Sequence, residues 1–317
     1  MRPRGLPALV PSLLVLAASV SLALGCGVGA GEERSGGVEL RVTRDFGERL
    51  LAQSDVAKVR EGETVMRLLS SERKVKTRFG GGFVQSIDGL AGQGADGHED
   101  WFYFVNGIEA SKGAADYDLS PGDFVQWDHR DWSETMRIPA IVGAYPEPFL
   151  HGTDGKRLPV RVECEDEGGE PCKEVKGRLT VAGAPASSAP LGVQSRKQTL
   201  RVVVGKWSAV RRVRAARTLE QGPKRSGVFA RFRDDGARLQ LLDEQGENVR
   251  DAPAGTGLVA ATALDDQEVV WLVTGIDDAG VKAAANALGE GPLRDAFAVA
   301  VEPGGPVKLP VGAGGGR

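Results

Sequence analysis

The chain has 317 residues, of which 41% are hydrophobic, 26% charged and 6% aromatic, a balance too apolar for a disordered polymer and long enough for two modest domains. Forty Lys and Arg against 43 Asp and Glu give a formal charge of −3, so no overall basic field argues for nucleic acid. The 44 glycines follow no three-residue period, which excludes a collagen-like chain.

Arg2 and Arg4 make a short positive start, and the stretch from Leu6 to Leu24 that follows carries no charge. Pro7 and Pro11 interrupt it, so residues 1–25 are expected to be a secretory signal peptide rather than a membrane span. The ending Leu22-Ala23-Leu24-Gly25-Cys26 resembles a bacterial lipobox, with Ala23 where Leu is usual. A small residue before the cut suits the peptidase, and the Cys26 thiol is the nucleophile that accepts the lipid. The reading is a chain anchored through Cys26 to the outer face of the cell membrane, with cleavage without lipidation as the alternative. Losing Arg2 and Arg4 with residues 1–25 leaves the mature chain at −5.

Residues 26–37 are rich in Gly and read as a flexible tether. A first domain is expected over 38–135. Val38, Leu40 and Val42 alternate with polar residues as a strand does, Leu50–Val59 reads as a second strand, and Thr64 N-caps a short helix bearing Val65, Leu68 and Leu69. The glycines of Phe79–Leu90 suggest a bulge between strand-like runs; with no Lys-Ser/Thr and no helix after them they are not a phosphate cradle. Trp101–Val105 is the densest aromatic run and ends on the hairpin signal Asn106-Gly107. Pro121-Gly122 turns the chain into a last strand, Phe124–Trp127.

These motifs, Gly62-Glu63-Thr64-Val65, the glycine-bulged Phe79–Gly89, Trp101…Asn106-Gly107, Gly113–Tyr117, Gly122-Asp123 and Trp127, resemble the transcobalamin-like C-terminal domain family over about residues 38–135. The resemblance implies a small β-grasp-like sheet over one helix. In vitamin carriers that domain closes over cobalamin opposite a helical barrel, which this chain lacks. A corrinoid is therefore the ligand class implied, with Trp101, Tyr103, Asn106, Tyr117 and Trp127 as its candidate contacts and an uptake transporter as partner. The competing reading of the same aromatic strand is core and interdomain packing, with Trp101, Tyr103 and Val105 on one face and Phe102 and Phe104 on the other.

Residues 136–157 read as a linker that docks through its apolar residues. A second domain, 158–303, belongs to no family recognised from its residues. Its elements are a strand ending at Cys164, a helix Cys172–Val181, a strand Leu200–Gly205, a helix bearing Val210, Val213, Ala216 and Leu219, and short strands around 228–232, 239–242 and 258–264. Then come a strand Val269–Gly275, a helix capped by Asp277 or Asp278 and closed by Gly289, and a strand Ala296–Val301. The fold class expected is α+β, a small β-grasp-like domain followed by a mixed α/β sandwich domain, and 304–317 reads as a disordered tail. Cys164 and Cys172, an even pair in an exported chain, are expected to form a disulfide, with two reduced thiols as the alternative.

No Gly-x-Ser-x-Gly elbow accompanies the three histidines, and the Gly255-Thr256-Gly257 string precedes a strand instead of a helix. No enzyme and no metal site are expected. Residues 196–233 carry a local charge of +11, read either as a solvated face balanced by acids elsewhere or as a surface for an anionic partner. Together these point to a monomeric, membrane-anchored, non-enzymatic binding lipoprotein, or to a cell-surface module that touches envelope polymer or another protein.

Overall fold

The computed structural model describes residues 33–93, 97–193, 198–264 and 268–313. The expected signal peptide, Cys26 and the first part of the tether lie outside the described residues.

The first half opens with an antiparallel hairpin of β1 (Glu33–Arg44) and β2 (Arg49–Arg60). Helix α1 (Val65–Glu72) follows, its first turn capped by Thr64, whose hydroxyl accepts the Arg67 N–H at 3.2 Å. The apolar stripe Val65, Leu68 and Leu69 faces inward. Strands β3 (Val75–Arg78), β4 (Phe83–Ile87) and β5 (Leu90–Ala91) form a small separate sheet. Strands β6 (Glu99–Val105), β7 (Ile108–Glu109) and β8 (Phe124–Asp131) complete the main sheet in the order β2-β1-β8-β6-β7, with β8 parallel to β1. A hairpin, one covering helix and a last strand returning to the centre is a β-grasp-like arrangement.

The expected tether is shorter than its composition suggests. Residues 33–37 belong to β1: Gly36 pairs opposite Lys58 at a bulge, and the Gly37 carbonyl accepts the Gly122 N–H at 2.7 Å. Main-chain pairing across a bulge overrides the flexibility that Gly confers in isolation.

The second half is built on β9 (Val160–Cys164), α2 (Glu170–Val181), β10 (Ala186–Pro190) and β11 (Leu200–Lys206). Short helices α3 (Trp207–Val210), α4 (Arg214–Arg217) and α5 (Pro223–Ser226) lead to a small antiparallel sheet of β12 (Ala230–Arg233), β13 (Arg238–Leu242) and β14 (Asn248–Asp251). The chain ends with β15 (Gly257–Leu264), β16 (Glu268–Gly275), α6 (Asp278–Ala287), α7 (Glu290–Leu293), β17 (Ala298–Glu302) and β18 (Gly305–Leu309). The large sheet runs β10-β9-β11-β16-β15-β17-β18. Helices α2 and α6 cover one face with Val202, Val204, Trp271 and Val273, while α3 to α5 cover the other with Val203 and Leu272. The fold class is α+β.

Three expectations are corrected. The helix expected from Val210 to Leu219 is broken, because Val213 is extended (φ −72°, ψ 123°) and splits it into α3 and α4. Strict three-residue steps drift off one face of a 3.6-residue helix, and Arg211, Arg212, Arg214 and Arg217 crowd like charge there. Gly289 does not cap α6; Leu288 does, and Gly289 starts α7. The tail is ordered as far as it is described, since β18 pairs with β17 and Leu309 and Ala313 are buried.

The two halves share one hydrophobic cluster, and the described residues form one compact unit. Phe46, in the β1–β2 turn, inserts edge-on between Phe229 (5.0 Å) and Phe297 (5.5 Å), and Phe104 of β6 meets Phe297 at 5.5 Å. Beside them the buried Arg41 guanidinium donates to Asp295 at 2.6 Å. In residues 136–157, Ile138, Ile141 and Phe149 are buried, and the Ile141 N–H reaches the Gly107 carbonyl at 2.8 Å.

The plug turn is held from below. Phe46 and Gly47 both have left-handed φ (57° and 76°), and a Cβ on Gly47 would fall 1.7 Å from the Asp295 carbonyl oxygen. Buried Asp128 accepts the N–H groups of Phe46 (3.2 Å) and Gly47 (2.9 Å) and the Thr43 hydroxyl (2.7 Å). Burial pushes its pKa up to about 6 against those hydrogen bonds and Arg130. Its folded pKa is therefore above that of the unfolded chain, so the stability it contributes is complete below about pH 4 and is lost as pH rises through 6. Urea unfolding at pH 4 and pH 7 is expected to show a wild-type loss that Asp128→Asn reduces by about 2 to 3 kcal/mol. Equal pH dependence in both proteins would contradict this role.

Candidate functional site

The aromatic residues singled out from the sequence do come together. Tyr103 on β6 and Trp127 on β8 are register partners, their rings stacked at 4.9 Å, and Tyr117 meets Tyr103 edge-on at 6.3 Å. Trp101 stands edge-on to His129 at 5.0 Å. The expected open ligand face is corrected by its surroundings. Helix α1 and the 110–119 loop cover it, and Tyr117, the most exposed of Trp101, Tyr117, Trp127 and Asn106, is only 8% exposed. Trp101 Nε1 donates to the Leu90 carbonyl at 3.1 Å and the Tyr103 hydroxyl to the Lys112 carbonyl at 2.6 Å, so these two polar tips are satisfied inside the fold, whereas the buried Trp127 Nε1 has no hydrogen-bond partner among the described residues. Tyr103 alone of the five keeps partial exposure. Asn106 ties the β6–β7 turn to its neighbours: its amide donates to Asp123 (2.8 Å) and the Gly152 carbonyl (3.0 Å), and its oxygen accepts the Phe124 N–H (2.8 Å). On the opposite face of β6, Phe102 carries the buried Arg130 guanidinium at 3.7 Å.

Two clefts lie elsewhere. One, of about 300 Å³, opens between the halves beside β1, and Arg41, Asp123, Glu147, Glu290, Arg294 and Asp295 line it. The Glu147 carboxylate accepts the His151 N–H at 3.0 Å and faces Nδ1 of that imidazole at 2.5 Å. Burial pushes both Glu147 and Asp123 above the usual carboxylate range, with His151 opposing it in each case. The sequence carried its one signal in the Glu147/His151 spacing of four, whereas the Arg41–Asp295 pair, 254 residues apart, had none.

The other cleft lies where the connections of the large sheet change sides. Strand β9 passes into α2 on one face and adjacent β11 into α3 on the other, and open α/β sheets bind ligands at such a reversal, outside the carboxyl ends of the strands. There a crevice of about 380 Å³ is lined by Glu165, Asp166, Glu170, Lys206, Asp278 and Lys282. Lys206 pairs with Asp278 at 2.9 Å and Lys282 with Glu170 at 3.0 Å. The Cys164–Cys172 disulfide, with Cα atoms 6.0 Å apart, ties the end of β9 to the start of α2 below this crevice. A second hollow of about 370 Å³ adjoins Cys164 on the α3 side, with Arg212 at its rim.

The basic run is partly balanced. Arg201 is held by Glu163 and Glu268, both at 2.7 Å, Arg211 by Glu220 and Asp235, and Lys224 by Glu134 at 3.2 Å. Burial alone would raise the Glu163 pKa, but hydrogen bonds from Arg201 and Arg161 bring it below the usual range. Arg212, Arg214 and Arg225 are exposed without an ion pair among the described residues, while Arg196 and Lys197 lie outside them.

Residues 62–130 match the model of a domain of unknown function, DUF4430, a stretch that falls within the region of the transcobalamin-like resemblance. No curated protein matches the chain. Among solved structures, a protein of Ruminococcus gnavus provisionally described as metal-binding aligns over 31% of this chain and 98% of its own, at 14% identity and TM-score 0.24. Haptocorrin in complex with Cbi aligns over 32% of this chain at 17% identity and TM-score 0.25. The aligned part spans 26% of the haptocorrin chain.

The packing assigns distinct outcomes to two aromatic substitutions. Trp127→Ala is expected to cost about 3 to 5 kcal/mol in denaturant unfolding, and partly exposed Tyr103→Ala clearly less. Equal, small losses from both would contradict the buried placement.

Proposed function

We propose that the chain is a non-enzymatic binding protein, exported and held by lipid on Cys26 at the outer face of the cell membrane, where it captures a small ligand for a membrane transporter. The observation that carries the binding reading is the crevice at the carboxyl ends of β9, β11 and β16. Its charged side chains stand on loops and helix starts, and a disulfide fixes its floor. Export is supported by that disulfide, which persists in oxidising compartments, together with the Leu24-Gly25-Cys26 ending of the apolar leader.

The finer reading, a corrinoid ligand, rests on the resemblance of the first half. Clefts of about 300 and 380 Å³ stand at the small end of ligand pockets, so a macrocycle would be held by one edge and not enclosed. The mixed charges of the crevice equally suit a small zwitterionic solute.

Two measurements test these readings separately. In a bacterial host the wild type is expected in the detergent fraction and Cys26→Ser in the soluble one; a wild type soluble after processing would remove the anchor. Isothermal titration of the mature chain with cobalamin is expected to give a binding isotherm that Lys206→Ala weakens by about 1 to 3 kcal/mol at unchanged melting temperature. Absence of heat from folded protein would remove the corrinoid, and heat unaffected by Lys206→Ala would remove the crevice as its site.

A further inference from the structure

The β3–β4 hairpin presents a feature that the fold does not use. Its tip, Arg78-Phe79-Gly80-Gly81-Gly82-Phe83, places the Phe79 ring 87% exposed and the Phe83 ring 39% exposed, edge-on to each other at 6.4 Å. Phe79 also sits at φ +52°, in the left-handed region that a bulky residue adopts only under constraint, although three glycines follow it. Val75, Val84 and Ile87 pack the hairpin onto the small core, so its inner side is occupied and its aromatic tip is not.

Along the hairpin's own chain the charge is of one sign, and the Asp100 carboxylate on β6 is the acid that feels Arg78. Arg73, Lys74, Lys76 and Arg78 lie between Glu72 and Asp88 with no acid among them, in a mature chain of expected charge −5. Lys74, Lys76 and Arg78 are exposed and in no ion pair among the described residues, and the Asp88 carboxylate is engaged by the Lys74 N–H at 3.0 Å. Aromatic rings at the apex with cations behind them are the two elements of interfacial membrane binding: rings enter the headgroup boundary while Lys and Arg meet anionic headgroups.

We infer that the β3–β4 hairpin is a membrane-surface contact, in which Phe79 and Phe83 enter an anionic phospholipid leaflet and Lys74, Lys76 and Arg78 meet its phosphates. The inference rests on the proposed location outside the membrane but not on lipidation itself.

The test uses the mature chain carrying Cys26→Ser, so that no acyl group contributes. It is sedimented with vesicles of equal parts phosphatidylglycerol and phosphatidylcholine, and with phosphatidylcholine alone. Expected are pelleting with the mixed vesicles, about tenfold weaker binding to phosphatidylcholine alone, and about tenfold weaker binding of Phe79→Ser/Phe83→Ser. Lys74→Glu/Lys76→Glu, which leaves the aromatic tip intact, is expected to weaken binding similarly, and Val181→Ser, at an exposed position on α2, to leave it unchanged. No pelleting of folded protein, equal binding by the hairpin variants, or equal loss in Val181→Ser would overturn the inference. So would a dimer in sedimentation velocity that Phe79→Ser dissolves, which would make the tip a self-association contact. Because the assay lacks the anchor, its failure is distinguishable from a failure of the Cys26 fractionation.

Discussion

The arrangement depends on one buried contact, the insertion of Phe46 between Phe229 and Phe297 with Phe104 against the same Phe297 ring. The β1–β2 turn must adopt left-handed backbone to deliver Phe46, and that costs free energy unless something fixes it. Asp128 supplies the restraint by accepting both turn N–H groups, and the buried Arg41–Asp295 pair adds a directional contact beside the rings. A buried ion pair is weak evidence for net stability, but either charge left alone would be costly, which disfavours arrangements that separate Arg41 from Asp295. The apolar rings therefore supply the attraction, and the ions fix how the halves meet.

This contact decides where function can reside. The main sheet of the first half is covered by α1 on one face and by the second half on the other, so its aromatic strand keeps only partial exposure, at Phe102 and Tyr103. Trp101, Tyr117 and Trp127 serve as the floor of α1, and Phe104 as part of the interface. Accessible chemistry is displaced to the ends and edges of the sheets: the cleft beside β1, the crevice above the disulfide, and the β3–β4 tip. These are the positions where side chains project without being needed for packing.

Local features were legible in the sequence because their causes are local. Thr64 and Asp277 cap their helices where the hydroxyl and carboxylate signals predict, and the Asn106-Gly107 turn follows the aromatic strand. The Cys164–Cys172 pair is bonded across the short loop it brackets. What escaped was long-range. Residues 33–37 and 305–309 look like linker and tail until a neighbouring strand offers their backbone groups partners. The placing of Arg41 against Asp295, and the covering of the aromatic face, depend on which surfaces meet, and a one-dimensional pattern does not carry that.

Native-state hydrogen exchange with increasing denaturant tests most directly whether the Phe46 contact makes the two halves one cooperative unit. In the wild type the central amides of β1 and β8 are predicted to exchange with the same free energy and denaturant dependence as those of β11 and β16. In Phe46→Ala the β1 and β8 amides should open separately, at lower free energy than the large sheet. If the wild-type first half already opens on its own, or if Phe46→Ala lowers both sets equally, the halves are not coupled through this contact and the account is contradicted.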